Sequence, residues 1–356
     1  MMISSHLKKI NRTSNYDFLN RLGYQRLDRN ERNYPFSQNV LKGLKKTITN
    51  YSLQAYPGDK IKLIKKISSL EKINSKYVEI VPGSDAAIKY IFEIFSFAKS
   101  KMASIHPTYA MIDVYSRIYK TILYKISNKG DNFDPKKYFK KKINWIYIAN
   151  PNQPDGKIIS KENILKILKI AKKKKIFVII DEAYIHFSNQ SSIVSLVKKY
   201  RNLVILRTFS KFPGLAGIRI GFIVAHPQFI KTFNTVRSIF DTSSISISIA
   251  EFFLKNKKIG NDYVKQIKSI KKFMILECKK RRLKFINTHT NFFYIKIPKE
   301  KIKFAHKMLM RNKILVRSHL LGNFKFIDNS IRITLGEKKI MIKLFNILDK
   351  IRLKKK

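Results

Sequence analysis

The chain of 356 residues contains one cysteine, one tryptophan, seven histidines and 23 acidic side chains. Each scarcity excludes something. With Cys278 alone, neither a disulfide framework nor a CxxC metal site can form within the chain, and a reducing location, the cytoplasm, is expected. The histidines include no HExxH pair, so no metal is expected. The first residues, MMISSHLKKINRTSN, hold no apolar core and do not read as a signal peptide. No apolar window approaches the ~20 residues of a membrane helix, so no membrane partner is expected.

Against the few acidic groups stand 74 Lys and Arg, a formal charge of +51. Such an excess raises nucleic-acid binding as a remote alternative. That role needs a clustered basic face with stacking aromatics. Here the lysines are scattered along the whole chain among Ile, Asn, Phe and Tyr, a mixture that an AT-rich coding sequence favours without any ligand. The runs KKKK (172–175) and RLKKK (352–356) read as solvated helix and tail ends. No specific nucleic-acid partner is expected.

What is present is an ordinary globular content, 44% hydrophobic, arranged as alternating β and α units. Apolar strand-like runs lie at 78–81, 102–106, 121–126, 145–149, 176–180, 203–208 and 218–225. Helical spacing fills 60–73, 84–95, 161–174 and 190–200. This alternation predicts an α/β fold, a mostly parallel sheet flanked by helices, with ligands at the carboxyl ends of the strands. After about residue 240 the texture changes to helices at 245–256, 262–284 and 300–312 with strands at 292–297 and 330–336, a smaller α+β domain. The expected division is an N-terminal arm and substrate loop over 1–50 that packs with the small domain, a large domain over 51–240, and the small domain over 241–356.

The strand ends carry the candidate chemistry. In RTFSKFPGLAGIRIG (207–221), Lys211 stands between a strand and a small-residue turn, and a lysine amine is nucleophilic toward carbonyls once its pKa is lowered. Arg219 is a fixed cationic fork suited to phosphate. Taken alone, Lys211 is equally one more surface lysine. The strand–Pro82-Gly83–Ser84-Asp85–helix junction turns free N–H groups toward an anion, although many connections of this kind hold none. Tyr109, after His106-Pro107-Thr108, suits stacking on a flat ligand or a place in the core. Asp181, ending the most apolar strand, needs a cationic partner, which a surface lysine also supplies. LDRNERNYPF (27–36) and QAYPGD (54–59) are turn-like.

These stretches together resemble the fold-type-I, class I/II aminotransferases that use pyridoxal phosphate, and among them the histidinol-phosphate aminotransferases. The resemblance runs through LDRNERNYP, AYP, GSDAAI, HPTYAMIDVY, NPNQPDG, IIDEAYIHF, LRTFSKFPGLAGIRIGF and RITLGE, over roughly residues 25–340. It implies a covalent bond from Lys211 to the cofactor, Asp181 paired with the ring nitrogen, Tyr184 bonded to the ring oxygen and Tyr109 stacked on the ring. It implies a phosphate held by backbone N–H groups of Ser84 and Asp85 with Ser210 and Arg219, and by Tyr56 of a neighbouring subunit, hence a homodimer. It implies that Arg332 clamps the substrate carboxylate and that Asn30 and Glu31 approach the substrate side chain. The family's usual PNNPTG is PNQPDG here, so either Gln153 or a shifted Asn152 serves the ring oxygen. Pro213 and the 237–252 segment also depart from the pattern. The implied reaction is transfer of an amino group between a small amino donor and a 2-oxo acid. The alternatives are an aminotransferase of another substrate class, as in surface-polysaccharide or other amino-acid pathways, and a threonine-phosphate decarboxylase-like enzyme.

Overall fold

A computed structural model of the chain describes residues 5–10, 21–58, 60–97, 99–127, 134–319 and 327–353. Part of the N-terminal arm expected over 1–50, residues 1–4 and 11–20, and the last three residues of RLKKK lie outside the described residues. Strand β1 (Gln25–Arg26) comes first. The main sheet then uses β2 (Val78–Val81), β3 (Lys101–His106), β4 (Ile122–Ser127), β5 (Trp145–Ala149), β6 (Phe177–Asp181), β7 (Leu203–Thr208) and β8 (Gly221–Ala225). A second group follows: β9 (Phe285–Ile286), β10 (Phe292–Lys296), β11 (Ile314–Leu315), β12 (Arg317–His319) and β13 (Ser330–Thr334).

The seven strands of the main sheet lie in the order β2-β8-β7-β6-β5-β3-β4. All run parallel except β8, which is antiparallel to both β2 and β7. The central strands read WIYIA, FVIID, LVILRT and GFIVA because both faces are covered, which removes the alternation of a half-exposed sheet. Helices Lys60–Glu71 and Lys161–Lys173 cover one face through residues such as Leu63, Ile67, Ile164 and Leu168. Helices Ser84–Ile94, Met111–Ile118 and Pro227–Val236 cover the other through Ile88, Phe92, Ile112 and Phe233. Helix Lys161–Lys173 shows why these segments begin and end where they do. Ser160 caps it by accepting from Asn163 N, Glu162 sits in its first turn, and Lys172 and Lys173 lie in its last.

Two local expectations change. The segment 190–200 is not an α-helix but a short 3-10 turn, Val194–Lys198. The buried Glu182 carboxylate accepts from Ser192 Oγ at 2.6 Å and Ile193 N at 2.9 Å, which draws the chain inward before a helix can start. The strand expected from 218 begins at Gly221, because Arg219 adopts a left-handed conformation with φ 49°.

The second core gathers around the antiparallel sheet β12-β13-β10-β9 and the long helix Lys257–Lys280. Packing crosses the division expected from sequence. Helix Ser244–Lys255 buries Ile247, Ala250 and Phe253 in the core of the large sheet. The arm is shared: β1 pairs in parallel with β11 and Leu27 joins the small core, whereas Phe36, Val40 and Leu44 pack on the large one. Among the described residues, no helix is long and apolar enough to cross a membrane.

Candidate active site

Five strands bring their ends to one cleft of about 490 Å³. Strands β2, β3, β5, β6 and β7 point their carboxyl ends there. Strand β8 runs the other way, so its amino end, just after Arg219, reaches the same edge. Twelve of the fourteen expected site residues line the cleft, and Asn152 and Tyr56 do not.

Lys211 leaves the end of β7 and enters the cleft, where its Nζ donates to Arg29 O at 3.2 Å and Asn30 O at 3.1 Å. Burial pushes its pKa down to about 8, Arg332 adds to the effect, and Glu31 opposes it. Asp181 ends β6 and is only 6% exposed. Its carboxylate accepts from Tyr147 Oη at 2.9 Å and from Ala183 N at 2.9 Å. Burial raises its pKa to about 6, against those two hydrogen bonds. A buried carboxyl group satisfied by neutral donors is a receptor for a cationic N–H. Tyr184 Oη accepts from Asn30 Nδ2 at 2.9 Å and donates to Gln153 Oε1 at 3.5 Å.

At the other end of the cleft, helix Ser84–Ile94 opens behind Gly83, and its first N–H groups have no partner within the helix. Arg219 Nη1 donates to Ser210 Oγ at 3.1 Å. Gly83 has φ +86°, and a Cβ there would lie 2.8 Å from Arg219 Nη2. Glycine therefore keeps open a cradle between a helix N-terminus, a hydroxyl and a guanidinium, a set of donors matched to a phosphate. Tyr109 lines the cleft wall with its Oη on Asp85 Oδ1 at 3.2 Å, and Tyr115 holds the other oxygen at 3.1 Å.

Arg332 lies in β13, with Nη2 on Asp28 O at 2.7 Å and its buried Nε without a hydrogen-bond partner among the described residues. Asn30 is buried, and its backbone N bonds Thr334 Oγ1 at 2.9 Å. Glu31 lines the cleft but is held by Arg21 at 3.0 Å.

Two expected residues stand apart. Asn152 does not line the cleft. Its amide donates to Pro107 O and Asp155 Oδ1 and its oxygen accepts from Thr108, so the loop consumes its hydrogen-bonding capacity. Gln153, its neighbour, faces the cleft instead. Tyr56 is 75% exposed in the single chain, outside the cleft, with its ring stacked on Phe240 at 4.6 Å. The sequence reading missed Tyr147, Arg317 and Thr208, all of which line the cleft. Tyr147 had a signal: a hydroxyl inside the apolar run WIYIA needs a partner. Arg317 had none.

The model for aminotransferase class I and II matches residues 26–345, and the chain belongs to that family. It is 30% identical over 318 residues to a histidinol-phosphate aminotransferase of Clostridium beijerinckii, covering 88% of this chain and 87% of that protein. It is 32% identical over 337 residues to a dihydroxyacetone phosphate transaminase of Campylobacter jejuni, covering 89% and 87%. The fold matches the histidinol-phosphate aminotransferase of Sinorhizobium meliloti in complex with pyridoxal-5'-phosphate with a TM-score of 0.87 at 18% identity, over 98% of this chain and 97% of that one. The enzyme is thus a pyridoxal-phosphate-dependent aminotransferase that acts on an amino donor and a 2-oxo acid. The cleft fits the cofactor at both ends: a cradle only glycine leaves open, and a buried carboxyl group with no salt bridge among the described residues. Replacing Gly83 by alanine is expected to weaken pyridoxal phosphate binding about tenfold or more, through strain of about 1–3 kcal/mol and the clash with Arg219. Fluorescence titration of the cofactor-free protein measures it.

Proposed function

We propose that the enzyme transfers an amino group to or from a small substrate bearing a phosphate monoester, with histidinol phosphate as the first candidate. The observation that carries this reading is the pairing of Arg317 and Arg332 on the wall of one cleft, where the buried Arg332 Nε has no hydrogen-bond partner among the described residues. Two guanidinium groups suit two anionic ends, a carboxylate and a phosphate. Both relatives described above are named for phosphorylated substrates.

In this reading Ser84, Asp85, Ser210 and Arg219 hold the cofactor phosphate, and Tyr109 flanks the ring. Tyr184, with Gln153 and Asn30 behind it, bonds the ring oxygen. Bound pyridoxal phosphate supplies an electron-accepting ring for the bond broken at the substrate's α-carbon. Asp181 keeps the ring nitrogen protonated. Lys211, whose amine is neutral in part near pH 8, would be the group that accepts the proton from the substrate's α-carbon and delivers it across the imine nitrogen. Arg332 orients the carboxylate, and Asn30 and Glu31 bound the side-chain pocket. Tyr56 belongs to the neighbouring copy's phosphate site in a homodimer. The exposed Tyr51, Leu53, Ile239 and Phe240 beside it supply apolar surface for that contact.

The test is a panel of donors and acceptors followed by the cofactor's visible absorbance. Histidinol phosphate with 2-oxoglutarate, and glutamate with dihydroxyacetone phosphate, are compared with the same compounds lacking phosphate. Phosphorylated compounds are expected to exceed the others in kcat/KM by at least about tenfold, the weight of one lost charged hydrogen bond. Arg317→Gln is expected to erase most of that preference. Equal rates with and without phosphate would reject the substrate class and leave the family assignment standing.

A further inference from the structure

The stretch Asp28–Phe36 lies across the catalytic lysine as a strap. Its carbonyls at Arg29 and Asn30 hold Lys211 Nζ, and Asn30 Nδ2 holds the Tyr184 hydroxyl. Within the cleft Arg332 holds Asp28 O, and Arg21 holds Asp28 and Glu31 from beside it, but one fastening of the strap lies outside the cleft. Arg32 points the other way, and its Nη1 donates to Pro213 O at 3.1 Å while its Nε donates to Tyr34 O at 2.9 Å. Its guanidinium carbon lies 4.3 Å from the ring centre of Phe36 and 4.5 Å from that of Tyr263, a fully buried residue of the long helix Lys257–Lys280. Its aliphatic stem fills the space over Gly214, which has φ +97° and whose added Cβ would meet Arg32 Cβ at 2.7 Å.

Among the described residues Arg32 makes no salt bridge. A partly buried guanidinium without a carboxylate is costly in a surface patch and has no purpose as an ion pair. Here its flat fork joins three pieces of the molecule: the strap, the turn two residues after Lys211, and the small core. Pro213, unusual for the family, fits this arrangement. It has no N–H to offer, and its carbonyl is the group that Arg32 takes.

We propose that Arg32 is the positioning residue that fastens the strap over Lys211, and so sets how firmly the enzyme retains pyridoxal phosphate and its first substrate. Arg32 does not line the cleft. It acts through the strap's backbone and through Asn30. The inference rests on Lys211 being the cofactor lysine.

The experiment compares wild type with Arg32→Met and Arg32→Lys. Methionine keeps an aliphatic stem over Gly214 and removes the fork. Lysine keeps the charge but cannot reach two carbonyls in one plane. Three readouts are taken: amide hydrogen exchange over residues 28–34 in the cofactor-free protein, the rate at which pyridoxal phosphate leaves the loaded enzyme, and the separate kcat and KM for the amino donor. Arg32→Met is expected to speed exchange and release about tenfold and raise KM about tenfold, with kcat changed less than about threefold, as loss of one charged hydrogen bond predicts. Arg32→Lys should fall between. If Arg32→Met does not fold, Phe36→Leu removes one face of the sandwich and is expected to move the same readouts in the same direction. A variant that lowers the melting temperature but leaves exchange over 28–34 and cofactor release at wild-type values overturns the proposal. Failure of the Lys211 assignment has a different signature: wild type would retain no cofactor at all, whatever the exchange shows.

Discussion

Lys211→Ala is expected to abolish the borohydride-trapped adduct of pyridoxal phosphate on the chain and to lower kcat by roughly 10²–10⁴-fold, the usual weight of a positioned proton carrier. Peptide mass spectrometry reads the first effect and donor turnover the second. The wild-type enzyme sets the sign with pH. Burial and the neighbouring Arg332 bring the Lys211 pKa from 10.5 to about 8, so the neutral, nucleophilic amine becomes dominant as pH rises through that value. Cofactor attachment should accelerate over the same range. Stability rises over the same range. Between about 8 and 10.5 the unfolded chain binds the proton that the folded one releases, so lysine's contribution to stability improves as pH rises through this window. Below it, the folded protein carries a buried ammonium whose hydrogen bonds, among the described residues, go to the Arg29 and Asn30 carbonyls. Alanine removes both the charge and those contacts. The cofactor-free variant should therefore lose the Lys211 share of the pH dependence of melting between pH 8 and 10, while the share of the buried Lys271, also held near 8, remains.

The sheet was legible because its strands are buried on both faces and so read as unbroken apolar runs, each ending in a turn with a polar or charged side chain. The single antiparallel strand was not legible. Nothing in IRIGFIVA distinguishes its direction, which is settled by the short connection from β7 through the turn at 214–220. Lys211, Asp181, Tyr184, Gly83-Ser84 and Arg219 were readable because each sits where a strand meets a turn. Asn152 and Gln153 were not separable, since a one-residue shift in a proline-rich loop exchanges the inward and outward positions. The loop's own hydrogen bonds from Thr108 and to Asp155 decide it. Helix Ser244–Lys255 was assigned by chain position to the small domain, but only three-dimensional packing shows its Ile247, Ala250 and Phe253 under the large sheet. Arg32 was invisible for a related reason: its partners, Pro213 and Tyr263, are remote in sequence.

Asp181→Asn is expected to separate what the carboxyl group does for the reaction from what it does to the fold. The change is nearly isosteric. Ala183 N can still donate to the amide oxygen, and the Tyr147 hydroxyl can turn to accept from the amide nitrogen, so the hydrogen bonds survive. The negative charge proposed to face the ring nitrogen does not. Turnover should fall roughly 10²–10³-fold, the scale of losing one preorganised electrostatic group in a dry site. Without cofactor the effect on stability has the other sign. The folded protein holds the Asp181 proton up to about pH 6, whereas the unfolded chain releases it near 3.8. Stability therefore falls as pH rises through that interval, by about 1–3 kcal/mol for a shift of this size. The asparagine variant escapes that loss, and cofactor-free melting at pH 7 should show it more stable than wild type. Cofactor affinity completes the pattern. A cationic ring nitrogen favours the ionised carboxylate, so wild-type affinity should weaken as pH drops below about 6 with uptake of one proton, while the variant's affinity stays weak and flat across the same range. A variant that keeps full turnover, or whose affinity still bends near pH 6, would show that the titrating group and the partner of the ring nitrogen lie elsewhere in the cleft.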